Sequence, residues 1–219
     1  MAFADWENFA TGAGTPVFSP ETTQQIEGSQ SLVIGQTGGA VDMHALPTVA
    51  SGLTQGVTAG RLRTLVDKKT LSSTSTGTGI ICMQSARDVT TSGSCYLLRF
   101  NTGATFSLVK ITSGLTSSGT TLASGSFSPN PPNDEVFAIE LMWFNDVAFG
   151  GTRLEVRADT SGSVTDFSGL PALPDLQFDD TSSPLTTSLA EGVFWQDLGS
   201  GSASEIVFDQ TTLYTVAII

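Results

Sequence analysis

Apolar and polar residues alternate with period two along much of the chain, and Gly, Ser, Asn, Asp and Pro interrupt them at intervals of roughly 10–20 residues. The clearest case is Arg153-Leu-Glu-Val-Arg-Ala. Leu154, Val156 and Ala158 fall on one face and Arg153, Glu155 and Arg157 on the other, as in a strand with one packed and one wet side. The preceding segment 135–144 is apolar on both faces except for Glu140, with Phe137, Ile139, Leu141 and Trp143 on one side. The two segments read as a hairpin closed by 145–151, in which Glu140 meets Arg153 or Arg157. The same reading predicts strands at 5–9, 31–35, 60–66, 79–83, 95–101, 105–112, 120–124, 192–195 and 205–216. Residues 58–69 hold the best helical pattern, yet Leu62, Thr64 and Val66 alternate with Arg61, Arg63 and Leu65 as well as any strand does. Segments 70–78 and 113–119 are polar connections, 128–134 carries three prolines that exclude a central strand, and 170–184 is the longest irregular stretch. The predicted fold is all-β, an antiparallel two-sheet sandwich.

Composition narrows the picture. The 219 residues fit one sandwich domain over 1–219, since chains of this architecture reach that length as a single unit. No segment repeats at a fixed period, which disfavours a solenoid or propeller. Nine basic against 21 acidic residues give a net charge of −12, which repels phosphate backbones and argues against a nucleic-acid partner. No apolar run approaches the ~18–20 residues of a spanning helix, so no membrane partner is expected. The chain is rich in Ser (26), Thr (30) and Gly (23) and only 14% charged. The start Met1-Ala-Phe-Ala-Asp-Trp has no basic region followed by an apolar core, so folding in a cytoplasm without a signal peptide is expected.

Candidates for chemistry are few. Cys82 and Cys95 lie in two apolar runs separated by a polar turn; they either face each other across a hairpin or are two reduced buried thiols, the commoner state. His44, the sole histidine, would have to serve any serine triad, and no Gly-x-Ser-x-Gly elbow accompanies it; a surface or loop histidine is expected. Glu140 and Glu155 approach across the predicted hairpin, but the arginines flanking Glu155 favour a salt bridge over a glycosidase pair.

The opening Asp5-Trp-Glu-Asn-Phe, the segment Glu27-Gly-Ser-Gln-Ser-Leu-Val-Ile and the closing Glu205-Ile-Val-Phe-Asp-Gln-Thr-Thr-Leu-Tyr-Thr-Val resemble concanavalin-A-like lectin/glucanase domains and carbohydrate-binding modules. So does the succession Tyr96-Leu-Leu-Arg-Phe-Asn, Phe106-Ser-Leu-Val-Lys and Thr121-Leu-Ala-Ser, which is similar to their meander strands. The resemblance implies a jelly-roll sandwich whose first and last strands pair in one sheet. The family's hydrolases carry carboxylates at alternate positions of one strand; here Glu135 and Glu140 are five apart and fall on opposite faces. Glu7, Glu27 and Asp209 occupy positions that in many such jelly rolls hold a structural calcium, with solvated carboxylates as the alternative; no other cofactor is expected. Asp179 and Asp180 form a second acidic loop. Among the aromatics, Trp143 is expected in the core, while Trp195 at a strand end and Tyr96 are candidates for stacking on sugar rings.

Three functions compete. The first is a virion structural protein of a tailed bacteriophage, a capsid decoration or cement subunit or a tail or fibre component, located in the virion and partnered by other virion proteins. It would be a homo-oligomer, a trimer for choice, assembling through Leu170, Leu173, Leu176 and Phe178 of the proline-spaced segment and Val216, Ile218 and Ile219 of the apolar C-terminus. The second is a carbohydrate-binding module or lectin, with a host surface glycan as partner. The third, a polysaccharide-cleaving enzyme, has the least support, and a protein without catalytic residues is expected.

Overall fold

The computed structural model describes residues 6–21, 31–47, 55–69, 76–146, 150–162, 164–197 and 203–216. Among them there is no helix and fourteen strands: β1 (Trp6–Gly12), β2 (Pro16–Glu21), β3 (Ser31–Gln36), β4 (Val41–Pro47), β5 (Ala59–Asp67), β6 (Thr76–Cys82), β7 (Cys95–Phe100), β8 (Thr105–Ile111), β9 (Thr120–Ser126), β10 (Val136–Asp146), β11 (Gly151–Asp159), β12 (Leu176–Asp180), β13 (Gly192–Asp197) and β14 (Ser204–Thr215). They form two antiparallel seven-stranded sheets. The first runs β1-β4-β13-β6-β7-β8-β9, the second β12-β11-β10-β5-β14-β3-β2. The predicted meander is β7-β8-β9, and the predicted hairpin is β10-β11, with Glu140 opposite Arg157.

Period-two alternation builds the core. The second sheet contributes Leu62 and Val66 from β5, Phe137, Ile139, Leu141 and Trp143 from β10, Leu154 and Val156 from β11, and Ile206 and Phe208 from β14. The first sheet answers with Val41 and Met43 of β4, Ile80 of β6, Tyr96 and Leu98 of β7, and Trp195 of β13. The outer face of the first sheet has a core of its own, Ile81, Cys95, Leu97, Val109, Ile111 and Phe194, covered by Val89 and Leu115 of the loops. A smaller cluster on the outer face of the second sheet joins Leu65 and Ala138 to Val164, with Phe167 and Leu170 packed on it.

Three strands escape the sequence pattern. β2 contains Pro16 and Pro20, tolerable because it is the edge of its sheet among the described residues, where one row of N–H groups faces away from the neighbouring strand. β12 is the opposite edge of that sheet, within the stretch expected to be irregular. β4 lies inside the first sheet, and its outward residues Asp42 and His44 are polar. The expected pairing of first and last strands is not found: β1 belongs to one sheet, and β14 sits between β5 and β3 in the other.

Cys82 and Cys95 are both reduced and buried. Cys82 pairs with Tyr96 across the β6-β7 hairpin, so the neighbouring Cys95 points the opposite way: Cys82 belongs to the inter-sheet core and Cys95 to the outer one. Burial pushes both thiols up from their ordinary value.

The two faces of β11 make a quantitative test. Leu154 is buried in the core, whereas Arg153 forms a two-pronged pair with Asp179 on half-exposed side chains. Leu154→Ala should lower unfolding free energy by about 2–5 kcal/mol and Arg153→Ala by less than about 1 kcal/mol. Urea denaturation of the two variants checks the order, and a larger loss for Arg153→Ala would contradict this assignment of faces.

Candidate functional site: an arginine-lined cleft on the outer sheet face

The two expected sugar-stacking aromatics have no exposed ring. Trp195 and Tyr96 are buried in the inter-sheet core, because the alternation of β13 and β7 turns both inward. Their polar atoms tie the sheets together instead. Trp195 Nε1 donates to Gln36 Oε1 of β3 at 3.2 Å, and Gln36 Nε2 donates in turn to Asp197. Tyr96 donates its hydroxyl proton to Asp180 of β12 at 2.6 Å, Lys110 of β8 donates to the same carboxylate oxygen at 2.7 Å, and the Leu185 N–H donates to the Tyr96 oxygen at 2.9 Å. An aromatic with a polar handle buries well only where that handle finds a partner, and these partners come from the opposite sheet.

The expected metal set is not assembled among the described residues. Glu7 on β1 pairs with Arg87, Asp209 lies on β14 of the other sheet, and Glu27 lies outside the described residues. No group of three or more His, Cys, Asp or Glu side chains placed to hold a metal occurs among the described residues. The expected second acidic loop is instead the end of strand β12, where Asp179 pairs with Arg153 and Asp180 with Lys110.

His44 is not a surface or loop residue. It lies buried on β4, its ring stacked on Phe9 with centroids 4.8 Å apart, and its Nε2 accepts the Val89 N–H at 3.3 Å. Burial pulls it down to about 4, against the opposing pull of the Asp88 carboxylate 3.6 Å away.

The expected assembly anchors divide. Leu176 and Phe178 pack against the main core and Leu170 against the small outer cluster, so these three serve the chain's own fold. Leu173 is 79% exposed. Val216 is half-buried and donates its N–H to the Ala59 carbonyl, extending the pairing of β14 with β5; Ile218 and Ile219 lie outside the described residues.

The cleft that remains is built on the outer face of the second sheet. Two rows of residues cross its four central strands. Arg157, Glu140, Arg63 and Thr212 form one row over β11, β10, β5 and β14; Glu155, Met142, Arg61 and Tyr214 form the next. Arg157 bonds Glu140 at 3.1 Å and Glu155 at 3.0 Å, and Arg61 lies 3.7 Å from Glu140. Arg63 donates from Nε to Thr212 at 3.1 Å and from Nη2 to the Tyr214 hydroxyl at 2.7 Å. Its guanidinium lies 4.4 Å from the centroid of Phe167 and 4.9 Å from that of Tyr214, while Arg61 lies 4.7 Å from Tyr214. Phe167, Leu170, Pro171 and Ala172 of the β11-β12 connection wall the cleft, which encloses about 310 Å³.

The Glu140–Arg157 contact follows from the sequence, and so does the outward parity of Arg61 and Arg63. Tyr214 does not. Counting by twos from the inward Phe208 would bury Tyr214, but a bulge sets Gln210 and Thr211 together opposite Thr64, reverses the parity beyond it, and turns Leu213 inward and Tyr214 outward. Gln210 takes a positive φ of 48° at this bulge.

Solved structures share the architecture. "Cellulose induced protein, Cip1" superposes with a TM-score of 0.57 at 16% identity, covering 100% of this chain and 94% of that one. The legume lectin-like domain from Entamoeba histolytica gives 0.54 at 11% identity over 98% and 91%, and the carbohydrate recognition domain of Emp47p gives 0.53 at 12% over 97% and 89%. No protein-family model matches the sequence, and no curated protein matches it. The likeness is one of fold alone, an antiparallel two-sheet sandwich of the concanavalin-A-like jelly-roll type.

The buried titrating groups fix a pH dependence. His44 titrates near 4 folded and near 6.5 unfolded, so between those values the unfolded chain holds more protons and stability falls as pH drops. Asp42 acts oppositely: burial raises it to about 6 from 3.8, so its contribution is present at low pH and is lost as pH rises through 6. His44→Leu should therefore flatten the loss of stability from pH 7 to pH 5 by on the order of 1 kcal/mol, and Asp42→Asn should steepen it by less, since water screens the half-buried carboxyl. Urea midpoints at the two pH values measure both.

Proposed function

We propose that this chain is a lectin-like glycan-binding protein without catalytic activity, and that the arginine-lined cleft is its saccharide site. The observation that carries the reading is the cleft itself: a volume of about 310 Å³, within the range of about 300–1,000 Å³ usual for small-ligand pockets, on a fold shared with carbohydrate-recognition domains. Saccharides present hydroxyls around apolar ring faces. Arg61 and Arg63, held flat by aromatic contacts, supply donors for hydroxyls, and Met142, Phe167, Leu170 and Pro171 supply apolar wall. Glu140 and Glu155 are both committed to Arg157, which supports a binding role over a glycosidase pair.

A virion subunit is the second reading, favoured by the exposed Leu173 beside the cleft wall, and a particle exterior that grips host glycans would satisfy both. In that role the chain should associate more strongly as salt screens its −12 charge, and Leu173→Asp should abolish the effect in sedimentation at low and high salt.

A glycan array probed with the intact protein tests the first reading. Binding to a restricted set of glycans is expected, with Phe167→Ala weakening it at least tenfold while the melting transition stays cooperative. A folded protein that binds nothing on the array, or binds equally well without Phe167, would overturn it.

A further inference from the structure

Charge at the cleft runs against the rest of the molecule. The chain as a whole carries −12 with only nine basic residues, yet the cleft is lined by three arginines and one glutamate, with Glu155 of the next row beside Arg157, a local +1. The three arginines are not equivalent. Arg157 is spent on Glu140 and Glu155, and Arg61 shares Glu140 at a longer distance. Arg63 has no carboxylate partner among the described residues. Its bonds go to two neutral hydroxyls, those of Thr212 and Tyr214, and they occupy Nε and one Nη2 proton. Phe167 and Tyr214 hold its plane. A guanidinium has five N–H donors, so three remain, both Nη1 protons among them. A cation fixed by aromatic rings, hydrogen-bonded only to neutral groups among the described residues and opening on a cavity, is arranged for an anion that is not part of the chain.

We infer that the cleft selects saccharides bearing a carboxylate, with Arg63 as the residue that receives it; this rests on the glycan-binding reading above. The aromatic contacts make Arg63 rigid before the ligand arrives, so little side-chain freedom is lost on binding, and the planar fork matches a carboxylate in two hydrogen bonds where a sugar hydroxyl offers one. Tyr214 is a positioning residue for both Arg61 and Arg63, and it reaches the outer face only because of the β14 bulge. The overall negative charge sharpens the selection, because an acidic glycan is repelled from the remaining surface and meets a favourable potential at this cleft.

The test uses oligogalacturonate and its methyl ester as probes, with calorimetry on the intact protein beside the neutral-glycan array. The acid should bind at least tenfold more tightly than the ester, and raising salt from 50 to 500 mM should weaken the acid and leave the ester unmoved. Arg63→Gln should bring the acid-to-ester ratio close to one, and Arg63→Lys should retain part of it. Equal binding of acid and ester by the unaltered protein, or an acid preference that survives in Arg63→Gln, overturns the inference and leaves glycan binding standing. Binding of neutral glycans with none of the acid does the same. No binding of acid, ester or any arrayed glycan overturns both readings together.

Discussion

Each strand can send only alternate residues to the core, and β10 shows what depends on that constraint. Phe137, Ile139, Leu141 and Trp143 fill the space between the sheets, while the intervening Glu140 and Met142 floor the cleft on the other side. One strand thus supplies both the core and the site, and a register slip of a single residue would exchange them, driving a carboxylate into the apolar layer and four large apolar side chains into water. The neighbours hold the register from both sides. β5 and β11 pair with β10 along nearly its whole length, and the Trp143 indole donates to the Val57 carbonyl at 2.8 Å. The position of the cleft arginines follows from the packing of Trp143 and its companions, although none of them lines the cleft.

Between the sheets, two polar clusters accompany the apolar layer. Tyr96, Lys110 and Asp180 meet near the β12 edge of the second sheet and the β7-β8-β9 side of the first; Trp195, Gln36 and Asp197 meet at the strand ends of β13 and β3. Leaving one member of such a set unpaired costs more than the set contributes when complete, so these groups act as specificity devices for how the two sheets face each other.

The all-β class, the meander, the hairpin and the inward faces of β5, β10 and β11 were legible because they express local alternation. What was not legible depends on information that alternation does not contain. β2 and β12 are edges, where prolines and polar residues carry no penalty, so their sequences look like loops. His44, outward on β4, is buried because Phe9 and Val89 pack on it, a neighbourhood assembled from distant parts of the chain. The bulge in β14 changes the parity of Tyr214 without any glycine or proline to announce it. The burial of Trp195 is not legible, because a tryptophan near a strand end reads the same whether its indole proton meets a sugar or a glutamine from the facing sheet.

The opposed orientation of Cys82 and Cys95 has a consequence for where such a protein can work. The two thiols stand on different faces of one sheet, each sealed in its own apolar layer, with ionisation disfavoured in both. Exchange chemistry requires a thiolate that an oxidant or another sulfur can reach, and neither residue offers one. In the folded chain the two thiols are therefore sealed from exchange in a reducing and in an oxidising solvent alike.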